Sequence, residues 1–179
     1  MTSTKIHPGD EFPKLDVPDA TGTSRDLSRP TGDADWMMVV VYRGRHCPLC
    51  TRYLNELEGF VEELAAIGVD VAAVSADSAE QLEQHREKLD VSFPLHHSLS
   101  ADQMKKLGVY ISDPRSPQET DHAFAEPGIF VVNESGTLQV VDISNNPFVR
   151  PQLKTFVDGL RWIRNPENNY PIRGMHAYD

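Results

Sequence analysis

The chain has 179 residues, which is room for one ordinary domain with short decorations and not comfortably for two. Apolar residues make up 39% and charged ones 25%, a balance that excludes a disordered or collagen-like chain. With 17 Lys plus Arg against 27 Asp plus Glu the formal charge is -10, which repels a phosphate backbone and argues against nucleic acid as a partner.

Residues 1–35 are rich in Pro, Gly, Asp and Thr, and predict an extended lead-in or edge hairpin with pieces over Glu11 to Val17 and a turn at Asp19 to Gly22. Met1 to Asp10 lacks an apolar stretch of signal-peptide length, and the longest apolar run is only Trp36 to Tyr42, so a soluble, cytoplasmic protein with no membrane partner is expected. That run is β-branched at its centre and does not alternate, as a strand covered on both faces should read.

From Pro48 the period changes. Leu49, Tyr53, Leu57, Phe60, Val61 and Leu64 recur at three- and four-residue spacing, which predicts one amphipathic helix of about five turns, stopped by Gly68. Val69 to Val74 reads as a second buried strand, and strand, helix and strand within this short span make a βαβ unit with parallel strands. Ser78 to Gln81 and Ser100 to Gln103 fit capping boxes ahead of a helix Ala79 to Leu89 and a short helix ending at Gly108. His96 and His97 read as a strand end near the surface. Residues 110–126, with Pro114 and Pro117, predict a long surface loop. Gly128 to Val132 and Thr137 to Ile143, joined by Asn133 to Gly136, predict a β-hairpin. Pro151 to Ile163 predicts a last helix, and residues 165–179 an irregular tail.

The two cysteines, Cys47 and Cys50, form a C-x-x-C at the junction where the first buried strand gives way to a helix. Unpaired N–H groups and the positive end of the helix dipole favour a thiolate at Cys47. Arg43, Arg45 and His46 add positive charge in an otherwise acidic chain, and Pro48 suits the first helical turn. Cys50 lies one turn on, within disulfide reach and more shielded. These points assign Cys47 as the solvent-facing attacking sulfur and Cys50 as the resolving one. Two competing readings are a pair of inert structural cysteines and half of a zinc site completed by His46, His96 or His97. With no second C-x-x-C and no H-x-x-x-H, no metal is expected.

Beyond these residues the sequence resembles the peroxiredoxin-like AhpC/TSA (redoxin) family. Pro8-Gly9-Asp10 with Phe12-Pro13 and Leu15 is similar to that family's opening hairpin. Val74 to Ser78, Phe93-Pro94-Leu95 and Leu107-Gly108-Val109 are similar to its middle section. Pro127 to Asn133 with Gly136 resembles its closing hairpin, and Asn146 to Pro151 resembles a stretch of the C-x-x-C-bearing branch. The resemblance implies an α/β thioredoxin-like fold over residues 1–179, a central mixed sheet flanked by helices, with residues 1–35 as a hairpin extension. It also carries a departure. Peroxiredoxins have Thr or Ser three residues before the attacking cysteine, where the hydroxyl helps hold the peroxide, and Pro seven residues before it; here those positions are Gly44 and Val40.

The resemblance places Pro127 where thioredoxin-fold enzymes set a cis-proline whose backbone faces an extended substrate. Glu126 beside it either modulates Cys47 or, the favoured reading, is an exposed loop carboxylate. Arg150 either brings a guanidinium to the site or is a solvent-exposed residue at a helix start. Three functions follow as expectations. One is peroxide reduction through Cys47 with Cys50 resolving, with no cofactor beyond a reversible disulfide, reset by thioredoxin or by glutathione with glutaredoxin. The second is thiol-disulfide exchange on protein or small-molecule disulfides, and the third a non-catalytic binding module. A homodimer is compatible with the family.

Overall fold

The computed structural model describes residues 5–177; the first four residues of the expected lead-in and the last two of the expected tail lie outside the described residues. The lead-in forms the predicted hairpin, β1 (Asp16–Pro18) against β2 (Ser24–Asp26), antiparallel around the turn that starts at Asp19. The apolar run becomes β3 (Trp36–Val41), buried at every position. It pairs in parallel with β4 (Val69–Val74), and β4 in parallel with the short β5 (Leu95–His96). On its other side β3 pairs antiparallel with β8 (Gly128–Val132), which forms the expected hairpin with β9 (Leu138–Ile143). The mixed sheet therefore runs β5-β4-β3-β8-β9.

Both faces of this sheet are covered, which is why β3 reads as continuous apolar sequence. Trp36, Met38, Val40 and Tyr42 point to one face, against Leu54 and Leu57 of α1 (Pro48–Glu58), Leu64 of α2 (Val61–Ala66) and Leu153, Val157 and Leu160 of α5 (Leu153–Arg164). Met37, Val39 and Val41 point to the other, against Phe12, Leu15, Val17 and Leu27 of the lead-in and Met104 and Leu107 of α4 (Ala101–Leu107). Alternate residues of one strand thus seed two cores.

Several expectations need correction. The single five-turn helix is two helices. Gly59 and Phe60 close tight turns on Glu56 and Leu57 (3.1 and 2.9 Å), and glycine gives little support to an unbroken helix at that point. The apolar spacing runs through the break because Leu57 and Leu64 both pack on the sheet. Helix α3 (Ala79–Arg86) stops short of Leu89, again through tight turns, Lys88 N–H to His85 O and Leu89 N–H to Arg86 O. Both capping boxes are present, at Ser78 with Gln81 and Ser100 with Gln103. The last helix starts at Leu153 because Gln152 caps it, accepting the Thr155 N–H.

His96 and His97 are buried at 1% and 7% exposure, since β5 lies beneath the lead-in, where Asp19 bridges to His96. The loop over 110–126 carries its own small ladder, β6 (Ile111–Ser112) with β7 (Phe124–Ala125), and its end is buried. After α5 the tail makes one 3-10 turn at Pro166–Asn168 and is otherwise irregular up to residue 177. Among the described residues no helix is long and apolar enough to cross a membrane.

Candidate active site

Strands β3 and β4 are parallel and in register, Val41 beside Val74, so the segments that leave their C-terminal ends lie side by side. One carries Arg43 to Cys47 and the other Ser75 to Asp77. Cys47 is the N-cap of α1, with extended backbone, and its sulfur accepts the Cys50 N–H at 3.2 Å; Pro48 occupies the first turn, where no N–H is missed.

A hydrogen bond from the Cys50 side chain is the largest cause of a Cys47 pKa lowered to about 6, against the opposing effect of burial; the Cys50 N–H, Arg43 and Arg150 follow. The same bond and burial push the Cys50 thiol up, so the two sulfurs divide into one thiolate and one thiol. Neither is in a disulfide. Cys47 is only 2% exposed, which corrects the expectation of a solvent-facing sulfur: the walls around it come from segments far away in sequence.

The positive charge is arranged differently from the sequence expectation. Arg43 is the first of the full charges that act on Cys47. Its Nε lies 3.3 Å from Glu126, a second nitrogen 3.9 Å from Glu119, and its guanidinium covers the Phe124 ring at 4.7 Å. Glu126 is therefore no exposed loop carboxylate; it is 4% exposed and also accepts the Ser112 hydroxyl at 2.7 Å. His46 adds no charge near neutral pH, because burial and then Arg43 push its imidazole down to about 4, with its ring edge-on to Phe124 at 4.6 Å. The Arg45 side chain is exposed and is not among the charges that act on Cys47; its backbone N–H donates to Asp77.

Arg150 takes the place expected of Arg45. Its guanidinium lies over the Tyr53 ring at 4.3 Å, its Nε donates to Pro147 O at 2.8 Å, and the Tyr53 hydroxyl donates to Pro151 O at 2.8 Å. The stretch Asn146 to Pro151 is thus folded back on α1, and Arg150 is a half-buried site residue, not a free helix-start arginine.

Pro127 also departs from expectation. Among the described residues no peptide bond is cis, and the Pro127 carbonyl accepts the Ser144 N–H at 3.0 Å, so its backbone serves the β8–β9 end of the sheet and offers no edge to an extended substrate. Gly44 has a positive φ of 133°, and a Cβ built on it would lie 2.5 Å from Asp77 Oδ1. A hydroxyl-bearing residue has no room there. Asp77, Glu119 and Tyr53 were not singled out from the sequence. The readable signal for Asp77 was topological: it follows β4, whose end must lie beside the end of β3. Among the described residues no group of three or more His, Cys, Asp or Glu side chains gathers at metal-binding distances.

Comparison with known proteins places this arrangement. The model of the AhpC/TSA family matches residues 8–141. A Mycobacterium tuberculosis protein assigned to the peroxiredoxins is 25% identical over 138 residues, 77% of this chain and 85% of that protein. Peroxiredoxin Bcp of Escherichia coli K12 is 30% identical over 102 residues, 57% of this chain and 64% of that protein. In structure the chain is similar to peroxidoxin BcpB from Mycobacterium tuberculosis, with a TM-score of 0.72 at 20% identity over 89% of this chain and 99% of that one. It is also similar to a peroxiredoxin-like protein from Aquifex aeolicus, with a TM-score of 0.72 at 16% identity over 88% of each.

Proposed function

The chain belongs to the AhpC/TSA family and is a thiol-dependent oxidoreductase of peroxiredoxin type, and from that premise we propose that Cys47 attacks a hydroperoxide and Cys50 resolves the product. The observation that supports these roles most is the division of the two sulfurs: Cys47, at the start of α1, accepts the Cys50 N–H and is pushed toward thiolate, while Cys50 is pushed toward thiol.

The Cys47 thiolate attacks one peroxide oxygen; the S–O bond forms as the O–O bond breaks. Sulfur is oxidised to a sulfenic acid, and the departing alkoxide takes up a proton equivalent to the one the thiol released on ionising. Cys50 then attacks the Cys47 sulfur. The S–S bond forms, hydroxide leaves, and the Cys50 proton goes with it as water. An external dithiol of the thioredoxin or glutaredoxin type returns the disulfide to two thiols. Arg43 and Arg150 stabilise the anionic states, and a role for Arg150 in holding an oxidant oxygen is supported by its Nη1, which is buried without a hydrogen-bond partner among the described residues. A homodimer fits the same reading.

The test is stoichiometric peroxide followed by maleimide trapping on wild type, Cys47→Ser and Cys50→Ser. The proposal expects fast loss of both thiols in wild type, a trapped sulfenic acid only in Cys50→Ser, and an unreactive Cys47→Ser. The second reading, thiol-disulfide exchange, is favoured by one observation, the absence of a hydroxyl at residue 44. Slow reaction with peroxide together with fast exchange on an insulin-type disulfide would select it. No fast reaction of either kind would sink both.

A further inference from the structure

Asp77 has no part in the chemistry above, yet it is 0% exposed and stands behind the loop that carries Cys47. A carboxyl out of water is retained only with partners. Its Oδ2 accepts the Arg45 N–H at 2.7 Å. Its own N–H donates to Ser75 Oγ at 3.2 Å, and its carbonyl accepts the Ser98 N–H at 2.8 Å, so its backbone is held on both sides. Oδ1 faces His122 Nε2 at 3.4 Å, and His122 Nδ1 lies 2.7 Å from Asp121, which also accepts from Gln81 at 2.9 Å.

The carboxyl is also packed flat on Gly44. The Cβ that Gly44 lacks would lie 2.5 Å from Oδ1 and 2.9 Å from both Cγ and Oδ2. The left-handed backbone of Gly44 is thus matched to one neighbour. The Gly44 carbonyl in turn accepts the Cys47 N–H at 3.2 Å, which closes the turn that presents Cys47 to the start of α1. Contact therefore runs without a gap from Asp77 through Gly44 and Arg45 to the N-cap.

We infer that Asp77 is a positioning residue for Cys47: its carboxyl, by accepting the Arg45 N–H and filling the space at Gly44, holds the 43–47 loop in the one shape that sets the Cys47 sulfur at the helix start. The inference rests on the reading of Cys47 as the attacking thiolate. The acceptor and the shape carry it, not the carboxyl's charge. Burial raises the pKa of this group, and the charged or titratable groups facing it are His122, Arg45, Asp121 and Tyr42.

Asp77→Asn keeps an oxygen for Arg45 and the same volume, whereas Asp77→Ala removes both. Thiolate absorbance against pH is read with each variant in Cys50→Ser, alongside the rate of Cys47 alkylation by iodoacetamide. Asp77→Asn is expected to keep the midpoint of its parent. Asp77→Ala is expected to raise it above that of the Cys50→Ser parent; a midpoint that passes from about one unit below pH 7 to about one unit above it lowers the thiolate fraction at pH 7 roughly tenfold, and alkylation with it. If Asp77→Ala does not fold by circular dichroism, Asp77→Ser, whose hydroxyl is too short to reach Arg45, is read in its place.

An unchanged midpoint in the folded Ala or Ser variant overturns the inference. So does an Asn variant as impaired as Ala, because charge and not position would then be the cause. Wild-type Cys47 with an ordinary thiol midpoint and no peroxide reaction would instead remove the functional reading on which the inference stands, a different and separable result.

Discussion

Arg43→Met removes a guanidinium that serves two purposes at once, and the structure predicts how they come apart. The side chain is 20% exposed and pairs with Glu126, whose side chain is 6% exposed. Methionine retains much of the apolar contact with Phe124 but leaves the Glu126 carboxylate buried with only the Ser112 hydroxyl. Breaking a buried pair by removing one partner costs about 3–5 kcal/mol, a large part of a total stability of about 5–15 kcal/mol. Arg43 is also the first of the full charges that lower the Cys47 pKa.

The single variant should therefore lose a few kcal/mol in urea unfolding, and its alkylation midpoint should move up from about 6. In Arg43→Met/Glu126→Gln no charge is left unpaired, and the amide oxygen still accepts from Ser112. Most of the stability should return, while the midpoint stays raised. Equal losses of stability in the single and double variants would refute the buried-pair reasoning, and a wild-type midpoint in Arg43→Met would refute its role in activation.

Reactivity and stability should both follow the Cys47 ionisation. Alkylation at Cys47 is expected to rise with pH through a midpoint near 6 and to be flat by pH 8 in wild type; a midpoint at the ordinary thiol value of about 8.5 refutes the activation. Because the folded value lies below the unfolded one, the thiolate's contribution is complete above the unfolded value near 9. It is lost as pH falls toward about 6. The stability of reduced wild type relative to Cys47→Ser should accordingly shrink from pH 9 to pH 6, and a difference independent of pH in denaturant titrations would contradict this. Gly44→Thr should not raise the rate with peroxide. The positive φ and the overlap with Asp77 should cost about 2 kcal/mol or more, and a folded Gly44→Thr that reacts faster than wild type would show that the loop has room the structure denies.

Much of the fold was legible in local pattern. The uninterrupted apolar run at 36–42, the capping boxes at Ser78 and Ser100 and the Asn133 to Gly136 turn each act over a few residues, and periodicity reports such constraints directly. The break at Gly59 was hidden because a helix bent at one glycine can keep its apolar spacing when both halves lie on the same sheet. The burial of His96 was hidden for another reason: only the lead-in hairpin, folded over β5, takes it out of water.

At the site, sequence alone determined the chemistry and its place: two sulfurs one helical turn apart at a strand-to-helix junction, with Pro48 in the first turn. It did not determine the electrostatics. Arg45 is two residues from Cys47 yet points to solvent, while Arg150 arrives from beyond β9, and His46 is silenced by its own burial. Glu126, Glu119 and Asp77 meet the thiol loop only because the sheet order sets β4 and β8 on either side of β3. Charge acts through space, and distance through space is decided by strand order, which no short-range pattern encodes.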